Sequence, residues 1–182
     1  SLVIAAFPLA VIMIYAAGQQ KLYRTIRPLD IDVFLYSYNE IYGALNKIKG
    51  VGLFFARSKK KIPAYVVHTM FMNHIIYEQN IIVSITTLDE PFGVKSFFKE
   101  DLGPGLRSFE IQMGYMEFVD IEKLLKGAGI EERGIFYGLE EISTRNIIWK
   151  IFAMMKRLAP PFVQFHDLPA NKLHGVVTRI EI

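Results

Sequence analysis

VGLFFARSKKKIPAYVVHTMFMNHIIYEQNIIVSITTL, residues 51–88, sets an apolar run, a basic loop, an amphipathic stretch and a second apolar run in that order. Val51 to Ala56 reads as a buried strand. The loop Arg57 to Lys61 leads to Pro63, whose fixed φ suits the first turn of a helix. The spacing of Val66, Val67, Met70, Phe71 and Ile75 predicts that this helix runs to about Tyr77. Asn80 to Leu88 follows as a strand in which Ile81, Ile82, Val83 and Ile85 are too continuous for a sheet open to water on one face. A strand-helix-strand unit of this length predicts a parallel pair joined by a right-handed crossover.

The same grammar repeats toward the C-terminus. Asp101 to Gly105, with two glycines around a proline, reads as a turn, and Arg107 to Val119 alternates Phe109, Ile111, Met113 and Tyr115 against wetter positions as a long strand would. Asp120 caps a helix to Lys126 that Gly127 and Gly129 close. Gly134 to Leu139 is a strand, and Ser143 or Thr144 opens a long helix through Trp149, Phe152, Met155 and Leu158 that stops at Pro160-Pro161. Gly175 to Ile182 alternates as an edge strand. The fold class expected is α/β, a mostly parallel sheet of about five strands flanked by helices.

Upstream, every side chain from Leu2 to Ala17 is apolar or aromatic, and Lys21, Arg24 and Arg27 follow. That order excludes a signal peptide, whose basic residues come first. Sixteen apolar residues fall short of the roughly 20 a bilayer crossing needs, so the run reads as a truncated transmembrane helix, with a buried core helix as the alternative. Lys21, Arg24 and Arg27 then lie at the membrane surface, and residues after about 20 are expected in the cytoplasm. The organisation expected is 1–20 as the end of a span, 21–49 as a basic juxtamembrane segment with a bridging helix, and 50–182 as a cytoplasmic domain. Asp30 or Asp32 caps the bridging helix, Val33, Leu35, Tyr36, Ile41 and Tyr42 supply its contacts along the membrane face, and Gly50 ends it.

Composition narrows the chemistry. The 182 residues carry a net charge of +3 and no cysteine, which agrees with a reducing compartment and removes thiol catalysis and cysteine-based zinc sites. The charge is concentrated at Lys21–Arg27 and Arg57–Lys61, without interleaved aromatics, a pattern that suits anionic headgroups and not a nucleic acid polymer. Gly50-Val51-Gly52 precedes a strand, and Gly103-Pro104-Gly105 blocks helix entry, so neither is a phosphate loop. His68 and His74 are six apart, on different helix faces, and no metal or cofactor is expected. Ser84 and Ser108 lack the context of a nucleophile elbow, and Glu117 with Asp120 reads as capping. No catalytic residue emerges, and the chain reads as no enzyme. Arg57, Lys59, Lys60 and Lys61 remain as a patch at the carboxyl end of the first strand, either solvated loop charge or a site for an anionic or phosphoryl ligand.

Gly50 to Phe55, His68, Asn73, Tyr77-Glu78, Ile82-Val83-Ser84-Ile85 and Gly114-Tyr115-Met116-Glu117, in this order, resemble the cytoplasmic C-terminal domain of KUP/HAK/KT potassium-uptake permeases. Gly18 to Arg24 resembles the segment after that family's last span. The resemblance implies the regulatory and dimerisation part of a multi-pass, proton-coupled potassium symporter. Potassium ion and proton would pass through membrane helices outside this chain, so no ion-binding residue is named within it. It also implies a homodimer in a lipid bilayer, and a cyclic dinucleotide as a regulatory ligand. The candidate ligand or regulatory residues are Arg57, Lys59, Lys60, Lys61, His68, Asn73 and Glu78. On one helix His68 and Glu78 stand about 80 degrees out of alignment, so Asn73 and Glu78 are expected to satisfy backbone groups instead. Two other classes stay open: a nucleotide-binding module of the universal-stress type appended to another transporter, and an enzyme on a single-span anchor.

Overall fold

A computed structural model describes residues 2–26, 28–56, 61–158 and 168–182. Its elements are α1 (Leu2–Ile26), β1 (Leu29–Asp30), α2 (Ile31–Ala44), β2 (Ile48–Ala56), β3 (Lys61–Ile62), α3 (Ala64–Val67), β4 (Tyr77–Leu88), β5 (Val94–Gly103), β6 (Leu106–Gly114), α4 (Ile121–Gly127), β7 (Glu132–Ser143), α5 (Ile147–Leu158) and β8 (Leu173–Glu181). Six strands form one sheet in the order β5-β6-β4-β2-β7-β8, and β1 pairs with β3 beside it. β2 is parallel to both β4 and β7, β4 to β6, and β7 to β8, while β5 is antiparallel to β6. From β2 the chain therefore winds outward to β4 and β6, then returns to the other side of β2 to lay down β7 and β8.

The sheet holds one strand more than expected. Residues 94–103 mix Phe97 and Phe98 with Lys95, Lys99, Glu100 and Asp101, and an edge strand bonded on one side tolerates that polarity because its other side faces water. The turn after it is narrower than Asp101–Gly105: β5 reaches Gly103, and Gly105 makes the reversal at φ +62. β6 stops at Gly114, where a side chain would strike the Pro91 carbonyl, so Tyr115 to Val119 leave the sheet.

The helix expected from Pro63 to Tyr77 is also shorter. α3 has four residues and passes into a wider π turn at His68–Met72, in which the Thr69 hydroxyl donates to the Tyr65 carbonyl at 2.7 Å. β4 then begins at Tyr77, three residues before the expected start.

α2 ends at Ala44, and Gly50 lies within β2 at φ +100. Of the contact residues expected, Leu35, Ile41 and Tyr42 pack against the core, but Val33 and Tyr36 do not. Phe34 and Tyr38, one turn apart, are fully buried, while Val33 is 54% and Tyr36 72% exposed. Asp30 precedes the helix without a side-chain capping bond, whereas Asp120 does cap α4, accepting from the Lys123 N–H at 3.0 Å.

Both sheet faces are covered. Phe54, Phe136, Tyr65, Tyr77, Phe34 and Tyr38 build the side under α2 and α3, and Leu53, Ile81, Val83, Ile111, Ile121 and Leu125 the side under α4. A third cluster joins α1 to α5 and the ends of β7 and β8 through Leu22, Phe152, Ile142 and Ile180. Helix α1 thus runs unbroken past the boundary expected near residue 20. Among the described residues no helix is long and apolar enough to cross a membrane. Pro160-Pro161 lies outside the described residues, and the helix before it begins at Ile147, where the Asn146 side chain accepts the Ile148 N–H at 2.9 Å.

Candidate functional site

In an open, doubly wound sheet the connections after neighbouring strands diverge where the winding reverses, leaving a crevice at the carboxyl ends. Here that point lies between β2 and β7. A cavity of about 420 Å³ sits there. Phe55 and Ala56 of β2, Ile85 of β4 and Tyr137 to Glu140 of β7 form its floor, with Lys61, Pro63 and Tyr65 on one wall. The remaining wall is Tyr23, Ile26 and Pro28, the end of α1 and its exit.

Local sequence explains the shape. Tyr65 follows Pro63 by two residues at the start of α3, and its hydroxyl lies 2.6 Å from the Phe55 carbonyl and 3.0 Å from that of Phe136, bridging β2 and β7. Its ring can lie that close because β7 has Gly138 beneath it, where a Cβ would come within 2.7 Å. Complete burial pushes the Tyr65 phenol well above its ordinary value, so it serves as a neutral strut. At the far end of the floor Glu140 is paired with Lys156 of α5 at 2.9 Å. Among the described residues the lining is thus mainly aromatic and aliphatic, with phenols, Lys61 and the ion-paired Glu140 as its polar points, a lining suited to a flat amphipathic molecule.

α1 is held in this wall by close packing. The Phe152 ring lies directly on Gly18, so any side chain at position 18 would collide with it. Tyr15 meets the same ring edge-on at 5.9 Å, Leu22 is buried, and the Lys21 ammonium lies 4.7 Å from the centre of the Trp149 ring.

Among the described residues, those singled out from sequence do not gather. Lys21 is on Trp149, Arg24 is exposed in the last turn of α1, and Lys61 lines the crevice. Arg27, Arg57, Lys59 and Lys60 lie outside the described residues. His68 and Asn73 face each other across the π turn at 3.5 Å, and Glu78, at the opposite edge of the sheet from the crevice, accepts the Gly50 N–H at 3.1 Å. Sequence reading missed Tyr23, Ile26, Tyr65, Tyr137 and Gly138; a glycine inside an apolar strand was the one available signal of close approach. Among the described residues no three His, Asp or Glu stand together as a metal site.

Winding order, reversal point and crevice define a doubly wound α/β domain of the class that takes ligands at its carboxyl edge. The chain belongs to the family of K+ potassium transporter C-terminal domains, whose model matches residues 49–182. It is 54% identical over its whole length to a probable potassium transport system protein Kup of Geotalea uraniireducens and 52% identical to one of Methanosarcina acetivorans. A third relative, the probable potassium transport system protein Kup 2 of Geobacter metallireducens, is 53% identical. The chain spans 30% of the length of each of these relatives. No solved structure matches it.

Proposed function

We propose that this chain is the C-terminal regulatory and dimerisation part of a proton-coupled potassium uptake transporter of the cell membrane, and that the crevice is its control point. The observation that carries the reading is that one helix, α1, supplies both the apolar run and a wall of the cavity. Phe7, Leu9, Ile12 and Met13 on its first half are exposed, as the end of a membrane span would be. Lys21 and Arg24 follow on the side that is basic in cytoplasmic segments, which supports a cytoplasmic position for the domain. A ligand touching Tyr23 and Ile26 then has differential contact with two positions of α1, and that is what coupling to a membrane helix requires.

The aromatic lining suits a base-bearing ligand, and a cyclic dinucleotide, carrying two bases, is the class proposed, with occupancy favouring the homodimer. The domain itself acts by binding and not by catalysis.

The test uses the full-length parent protein in cells lacking potassium uptake. Growth at limiting potassium is expected to be restored by the intact protein and to change when Ile85→Trp fills the crevice. No rescue by a protein shown to be in the membrane overturns the transport reading. Rescue unaltered by Ile85→Trp overturns the control point.

A further inference from the structure

The loops leaving the carboxyl ends of β4 and β6 are bonded into one shelf. Gly114 N–H donates to the Gly93 carbonyl at 2.8 Å, Tyr115 N–H to Glu90 at 3.1 Å and Met116 N–H to Pro91 at 3.0 Å. The Glu117 carboxylate accepts the Gly93 N–H at 3.0 Å. This shelf turns its large apolar side chains outward: Phe92 is 63%, Tyr115 60%, Met116 55% and Phe118 95% exposed. Four such residues on two hydrogen-bonded loops are not scattered surface apolarity; they mark an interface.

We infer that this shelf docks on the basic cytoplasmic loops of the parent transporter's membrane part, as a second point of attachment beside α1. The inference rests on the transporter reading above.

Three observations choose that occupant. β4 and β6 run parallel to β7 and β8, so the shelf leaves the same edge of the sheet at which Ile142 and Ile180 hold α1. At about 4.8 Å per strand the two attachments stand roughly 20 Å apart across β6-β4-β2-β7-β8. Charge decides between a lipid surface and a protein. Residues 89–93 and 115–120 carry Asp89, Glu90, Glu117 and Asp120 and no lysine or arginine. Anionic headgroups repel that set, whereas loops on the cytoplasmic side of membrane proteins are enriched in lysine and arginine. Length supplies the rest: the relatives are more than three times as long as this chain, which covers 30% of them, leaving a large partner within the same polypeptide.

The test is photo-cross-linking of the full-length parent protein in membranes, with p-benzoylphenylalanine replacing Phe118, a side chain exposed enough to have little packing to lose. Cross-linked peptides are expected from lysine- and arginine-bearing loops of the membrane part, and none from the same probe at Gln79, exposed at the amino end of β4. Adducts with lipid alone, with the C-terminal domain of a second copy, or with nothing overturn the inference. Joint Asp89→Lys and Glu90→Lys replacement is expected to lower the loop cross-link several-fold, and an unchanged yield overturns the assignment of a basic partner. A protein that gives the loop cross-link yet moves no potassium breaks the transport reading and leaves the docking standing.

Discussion

The two faces of the central sheet are built from different materials. Under α4 the core is mostly aliphatic, with Leu53, Ile81, Val83, Ile111, Ile121, Leu125 and Ile135, and it includes no buried tyrosine. Under α2 and α3 it is aromatic, and its rings have polar tips that reach named backbone groups. The Tyr38 hydroxyl receives the Asn80 amide at 3.0 Å and lies 3.3 Å from the Pro104 carbonyl, Tyr42 donates to the Glu78 carbonyl at 2.8 Å, and Tyr65 bridges Phe55 and Phe136. Glycines lie under those rings: Tyr77 covers the neighbours Gly52 and Gly134, and Tyr65 covers Gly138. Non-directional burial holds the first face; hydroxyl and glycine contacts also set position on the second. The crevice borders the locked face.

The largest effect tests the oily face. Leu125→Ala removes a fully buried side chain of α4 and is expected to cost about 3 kcal/mol in urea unfolding while leaving the environment of Tyr65 unchanged by nuclear magnetic resonance. A matching shift in the tyrosine signals would break the separation of the faces.

On the locked face Gly138→Ala adds one methyl that meets the Tyr65 ring at 2.7 Å, and the bridged hydroxyl keeps that ring from yielding. A loss of about 2 kcal/mol is expected, far above the cost of a methyl on an open strand, and a neutral outcome would show that the ring is not locked.

Tyr65→Phe keeps the ring and removes the bridge, with an expected loss of about 1.5 kcal/mol. Alkali examines the same contacts. Burial raises the phenols of Tyr38 and Tyr65 above their ordinary 10.0, so the folded state holds those protons more tightly than the unfolded one. Their contribution is complete below about pH 10 and is lost as pH rises from there toward the folded values. Thermal melting is expected to fall steeply above about pH 10 in the native chain and less so in the Tyr38→Phe, Tyr65→Phe double variant. Equal slopes would remove the phenols from the explanation.

The smallest effect returns to the α4 face. Asp120→Ala takes away the side-chain cap at Lys123 and is expected to cost about 1 kcal/mol, independent of any change at Tyr65. Coupling between the two positions would mean that the faces communicate.

Strands with continuous apolar runs were legible, because parallel strands covered on both sides cannot hide polar residues. β2, β4 and the first half of β7 came from that signal. β5 was not legible, since Lys95, Lys99, Glu100 and Asp101 look like loop until β6 supplies its hydrogen bonds. The buried face of α2 was legible at Leu35, Ile41 and Tyr42 but not at its centre, for a related reason: Val33 and Tyr36 are as apolar as Phe34 and Tyr38, and only the sheet beneath decides which pair is covered. At the crevice, Lys61 is a residue singled out from sequence, while Tyr23 and Ile26 were not, since about forty residues separate them from α3 in sequence.

By itself, then, the amino-acid sequence determined the α/β class, the parallel β2–β4 pair, the Asp120 cap, the apolar start of α1 and the likeness to the potassium transporter family. Those properties are local or compositional, and each is written within a short window of residues. Tertiary structure alone decided the sixth strand, the reversal between β2 and β7, the Tyr65–Gly138 contact and the closing of the crevice by α1. The reason is physical: a ring over a distant glycine, or a helix end against a strand end, has no energy until the intervening chain has folded and brought the two together.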